Sequence, residues 1–160
     1  MERNPAPNIR RILTSLCCIA CLWLTFGYAS AAEAQRMVLV AGATSYIPSL
    51  TPAEVRKLFL GIVIVKDSLR IEPLINLTDH RLHQMFLQKM VFMSSYNYEH
   101  HLVTHTRQTG DPLPQEYTDP WQLISALRSR PGSITYMWAK DAQPRMGLRI
   151  VQELWPSQPE

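Results

Sequence analysis

Cysteine is almost missing from this chain. Of 160 residues only Cys17, Cys18 and Cys21 carry a thiol, and all three lie in one apolar run near the start. Beyond Cys21 there is none, which excludes thiol catalysis, cysteine-based zinc sites, iron–sulfur clusters and a disulfide framework from the segment that follows. Charge is sparse as well. Lys and Arg number 16 against 13 Asp and Glu, and charged residues make up 18% of the chain, which is low for a solvent-coated helical bundle. Basic residues stand singly apart from Arg10-Arg11 and Arg56-Lys57. The dense basic stripe that follows a nucleic-acid backbone is missing, so no nucleic-acid partner is expected.

Catalytic signatures are absent in the same way. No G-x-S-x-G elbow, no H-E-x-x-H helix and no pair of carboxylates on one element is found. Hydrolysis and acid–base chemistry therefore have no candidate residues, and the reading is non-enzymatic, with no cofactor. There is no internal repeat and no low-complexity segment. With 46% apolar residues, this length predicts one globular domain.

What is present begins with a leader. Arg3, Arg10 and Arg11 form a basic head, Ile12 to Tyr28 is uncharged, and the small residues Ala29-Ser30-Ala31-Ala32 follow. That order matches a secretory signal, with residues 1–31 removed and Ala34 as the alternative cleavage point. An uncleaved anchor would need about 20 apolar residues, and lipid attachment at Cys21 would need an apolar residue where Cys18 stands. Losing Arg3, Arg10, Arg11 and Glu2 with the leader leaves 13 basic and 12 acidic residues in 32–160. A nearly neutral, cysteine-free domain in the periplasm is the expectation, with a frayed tail at 156–160.

Within that domain Met37–Ala41 reads as a buried strand ended by Gly42. Thr51-Pro52-Ala53-Glu54 is a capping-box helix start, with Val55, Leu58 and Phe59 on one face and Gly61 as the stop. Two strand-like segments, Ile62–Val65 and Ile71–Leu77, flank a turn at Lys66-Asp67-Ser68, and Pro73 places the second near an edge or bulge. Thr78-Asp79 caps a helix carrying Leu82, Phe86, Met90 and Met93 at four-residue steps. A further helix is expected over Tyr96–Thr106, another from Asp119-Pro120 with Leu123, Ile124 and Leu127 buried, and strands at Ser133–Trp138 and Gly147–Leu154. Phe59, Trp121, Tyr136 and Trp138 fall in apolar-periodic segments and read as packing residues. Alternating strands and helices predict an α/β class: a single three-layer αβα lobe with a mostly parallel mixed sheet.

Three segments carry a resemblance. Leu50–Gly61, Arg81–Phe86 and Pro131–Tyr136, in this order, resemble phosphate-type periplasmic substrate-binding proteins, the PstS-like group of the type 2 binding-protein superfamily. The loop His105–Pro114 is also similar to a stretch of short family members. Binding proteins of full transporters have two lobes, so the resemblance implies a short, single-lobe periplasmic relative that binds phosphate or a related small oxyanion. A homodimer or a membrane-protein partner would then supply the second half of the trap.

In that family a helix start holds the anion with backbone N–H groups, hydroxyls and a nearby Arg. The corresponding stretch here runs from Asn76 to His83, and the resemblance puts Asn76, Thr78, Arg81 and His83 forward as oxyanion ligands. Helix N-termini favour anions physically, through free donors and the dipole. The stretch departs from the family in lacking a glycine, and Asp79 would repel an anion unless its carboxylate turned away to cap the helix. All five histidines, His80, His83, His100, His101 and His105, lie within 26 residues. Their i, i+3 and i, i+4 pairs suit zinc or copper by spacing alone, but polar surface and capping roles are the preferred account, and no metal is assigned. The expected function is a secreted, non-catalytic solute-binding domain for phosphate or a related oxyanion. The alternative is an envelope interaction or sensory module that has lost the anion.

Overall fold

The computed structural model describes residues 36–155. The expected leader and cleavage site, the three cysteines and the 156–160 segment lie outside the described residues.

Strand β1 (Met37–Gly42) is buried along its whole length. Gly42 is required there by close approach, since a Cβ would stand 2.3 Å from the Leu127 carbonyl oxygen. Helix α1 (Pro52–Phe59) starts on the full capping box: Thr51 accepts from the Glu54 N–H, and Glu54 accepts from the Thr51 N–H. A hairpin follows, β2 (Ile64–Lys66) and β3 (Leu69–Asn76), joined through Asp67 and Ser68, both at positive φ as a two-residue hairpin turn demands. Lys66 closes it onto α1 through a 2.6 Å ion pair with Glu54. That contact, with the hydrogen bonds from Thr51, lowers the Glu54 carboxyl to about 2.

Helix α2 (His80–Phe86) does not continue to Met93 as a regular helix. It passes into a π-helical turn, Leu87–Val91, and ends at Phe92 in the left-handed region. Helix α3 (Ser95–Thr109) is capped by Ser94 and ended by Gly110. A short strand β4 (Gln115–Tyr117), invisible in the residue pattern, precedes α4 (Pro120–Ser129), whose cap Asp119 accepts from the Trp121 and Gln122 N–H groups. Then come β5 (Ser133–Trp138), a 3-10 turn at Pro144–Met146 and β6 (Leu148–Trp155).

The sheet order is β2-β3-β5-β1-β6, with β4 also on β3. The expectation of a mostly parallel, binding-protein-type sheet is corrected here. β1 runs antiparallel to both β5 and β6, and β2 runs antiparallel to β3. Among the described residues only β3 has parallel partners, β4 and a short stretch of β5. The sheet is strongly curled, like half a barrel. Two connections explain the difference. A two-residue turn can only join antiparallel strands, and β1 inserts between β5 and β6, which share a direction and would otherwise be parallel neighbours. Pro73 sits in an interior strand, but at the gap between the residues paired to β2 and those paired to β4, so its missing N–H removes no ladder bond on that edge.

Alternation along β1 divides the core. Met37, Leu39 and Ala41 join one cluster with Phe59, Phe86 and Tyr136, under α1, α2 and α3. Val38 and Val40 join the other with Leu74, Leu123 and Leu127, under α4. No helix of the described residues is long and apolar enough to cross a membrane.

Candidate functional site

The carboxyl end of β3 runs into the turn Asn76–Asp79, where the sequence places its ligands. Asn76 is 2% exposed. Its amide donates to the Tyr136 carbonyl at 3.0 Å, while Oδ1 accepts from the Thr78 N–H at 3.0 Å and from the Thr78 hydroxyl at 2.7 Å. The side chain thus bridges β3 to β5 where their ladder has ended and ties down the turn. Thr135 does the same from β5, its hydroxyl donating to the Leu74 carbonyl.

Asp79 commits both carboxylate oxygens to neighbours within the fold. Oδ1 accepts from the Leu82 N–H at 3.1 Å and Oδ2 from the Trp138 indole at 2.7 Å. Burial alone would raise this carboxyl, but the bonds from Trp138, Leu82 and Arg81 outweigh it and hold Asp79 below the ordinary carboxylate value.

His83 points into the core. Its Nδ1 lies 2.6 Å from the Tyr136 hydroxyl, which in turn donates to the Asn76 carbonyl at 3.1 Å. Both contacts are satisfied together when His83 donates from Nδ1, so this is the tautomer we assign. Burial lowers the His83 pKa and raises that of Tyr136, keeping both neutral. The ring of Tyr136 stacks on Phe86 at 3.8 Å. The tyrosine is a packing residue with its hydroxyl fully engaged.

Of the four sequence-derived ligands, Asn76 and Thr78 are brought into direct contact, and Asn76 and His83 meet through Tyr136. Arg81 stands apart, exposed, and its side chain makes no contact with the other three. The turn therefore offers an approaching anion few free donors.

Beside the turn lies a cleft of about 390 Å³, outside the carboxyl ends of β3 and β5 and between the starts of α2 and α4. Open α/β sheets place ligands at such crevices. Asn76, Thr78 and Asp79 line one side and Pro120, Trp121 and Ile124 another, over a floor that includes Met137, and Lys140, Asp141 and Gln143 add a polar edge from the segment after β5. Trp121 is 70% exposed, which corrects its reading as a packing residue. Ile124 lies three residues on, so the indole sits on the rim of an apolar face centred on Leu123 and Leu127, and the helical spacing contained that signal.

The remaining histidines act on the backbone or face solvent. His101 and His105 hold the end of α1 through contacts of 3.2 Å to the carbonyls of Leu60 and Gly61. His80 meets Gln84 at the surface. Among the described residues no three His, Cys, Asp or Glu side chains converge on a metal-sized site.

No protein-family model, curated protein or solved structure matches this chain.

Proposed function

We propose that the chain is an exported, non-catalytic interaction module that engages a partner in the cell envelope through the cleft at the Thr78 turn. This keeps the export and the binding character implied by the PstS-like resemblance and drops its anion. One observation carries the reading: of the four groups expected to face a ligand, Asn76, Thr78 and His83 are bonded to one another or to the sheet and Arg81 stands apart from them, while the wall formed by Pro120, Trp121 and Ile124 is apolar and projects Trp121 into solvent. A dehydrated oxyanion needs several convergent free donors, whereas a partner protein needs an aromatic anchor beside apolar surface.

Two measurements on residues 32–160 test this. Isothermal titration with phosphate should give no saturable heat at millimolar ligand, and a saturable isotherm would overturn the reading. In cells, a photo-reactive phenylalanine in place of Trp121 should cross-link to one envelope protein, and the same probe at the exposed Tyr46 should not. Equal labelling at both positions, or none at 121, would count against the cleft.

A further inference from the structure

A second concavity lies between α1, the π-helical turn and the end of β6, with a volume of about 540 Å³. Leu60, Met90, Phe92 and Leu154 form its apolar walls, and Arg56, Lys57, Lys89 and Trp155 supply its polar atoms. The two other lining residues, Pro52 and Ala53, bring no polar side chain. Nitrogen donors are therefore present without a single oxygen acceptor among the side chains.

The cations at this groove are unanswered. Among the described residues none of Arg56, Lys57 and Lys89 pairs with a carboxylate, and Arg56 Nε is buried with no hydrogen-bond partner. Two of them rest on aromatic faces instead: the Arg56 guanidinium lies 5.3 Å from the centre of the Phe92 ring, and Lys89 Nζ lies 4.8 Å from that of Trp155. Such contacts orient a cation without neutralising it. Phe92 itself is 68% exposed and at φ 61°, a conformation that costs a bulky residue energy. The π-helical turn that ends there presents both Lys89 and Phe92 to the groove.

From this arrangement we propose that the groove binds an amphiphile with an unbranched apolar body and a single carboxylate head, of the medium-chain fatty acid class. The head would sit among Arg56, Lys57 and Lys89, and the body would cover Leu60, Phe92 and Leu154. Charge complementarity selects an anion. The lack of side-chain acceptors selects a ligand with no donors of its own, because a peptide would leave its N–H groups facing side chains that cannot accept.

The test uses residues 32–160 and sodium decanoate, well below the concentration at which it forms micelles. Calorimetric titration should show saturable binding below about 1 mM, at least about tenfold tighter than decanol or acetate. Arg56→Gln and Lys89→Gln should each weaken decanoate roughly fivefold, the effect of losing one partly exposed charge contact. Arg145→Gln, which removes the same charge at an exposed position that does not line this groove, should leave it unchanged. Decanol binding as tightly as decanoate, equal weakening by all three substitutions, or silence toward decanoate alongside binding of an acidic peptide would each overturn the assignment.

Discussion

Removing the Asn76 amide tests most directly whether the turn at Thr78 is a structural bridge. Asn76→Ala deletes three hydrogen bonds at once, two to Thr78 and one to the Tyr136 carbonyl. Thr78 is half-buried, so water can replace its two bonds, and each then costs only the net value of about 0.5–1.5 kcal/mol. The Tyr136 carbonyl is sealed within the sheet and would keep its desolvation penalty, about 1–3 kcal/mol. Taken together the loss should come to about 4 kcal/mol. With a urea dependence of about 2 kcal/mol per molar for a domain of this size, the unfolding midpoint should fall by about 2 M. Urea titration followed by far-ultraviolet circular dichroism, on residues 32–160 with and without the substitution, measures it. Arg81→Ala is the comparison, because an exposed side chain with no partner should change stability by less than about 0.5 kcal/mol. Equal midpoints for the two variants would refute the bridge. Phosphate that protected the parent domain but not Asn76→Ala would instead make the amide a ligand.

Further outcomes follow from other contacts. Asp79→Ala should cost about 1–2 kcal/mol at pH 7 by removing the α2 cap and the Trp138 partner. Because the folded pKa of Asp79 lies below its ordinary 3.8, that contribution is present above pH 3.8 and is lost as pH falls further. Melting temperatures of parent and variant should therefore differ at pH 7 and draw together as pH falls below 3.8. The Glu54 carboxyl should titrate at about 2 by nuclear magnetic resonance, and Lys66→Gln should move it back toward 4.5. The stabilisation from this pair is complete above pH 4.5 and fades as pH falls toward 2. Phe92→Gly should raise the free energy of unfolding by about 1 kcal/mol through relief of the left-handed backbone, while weakening decanoate. Gly42→Ala should cost about 1–3 kcal/mol, since the new methyl meets the Leu127 carbonyl. A melting temperature unchanged by that methyl would show that α4 can move away from β1.

Helix starts were legible because a cap is a local device. Thr51 with Glu54, Asp79 and Asp119 each satisfy N–H groups two or three residues away, a distance the sequence spells out, whereas the Ser94 cap of α3 shows in the sequence only as a break before Tyr96. The turn at Asp67-Ser68 was readable for the same reason. Less legible was the long segment after Asp79, where four-residue spacing continues through Met90 but the backbone widens into a π turn and stops at Phe92. Apolar periodicity records which side chains are buried, not how many residues complete each turn. At the candidate site, the sequence marked Asn76, Thr78 and His83 as polar groups beside a helix start. It held no information on the direction in which those groups point.

That direction comes from β5. Tyr136, about 60 residues from Asn76 and 53 from His83, receives both, and Trp138 takes the Asp79 carboxylate. Strand direction was settled in the same way. Most elements, their caps and their hydrophobic faces follow from short-range chemistry and can be read from residues 36–155 in order, β4 and the π-helical turn excepted. The mostly antiparallel sheet, the inward-facing turn, the exposed Trp121 and the unpaired cations around Phe92 depend on β1 entering between β5 and β6 and on α1 meeting the end of β6. Those are contacts between segments far apart in the chain, and their energies arise only when the segments are packed together.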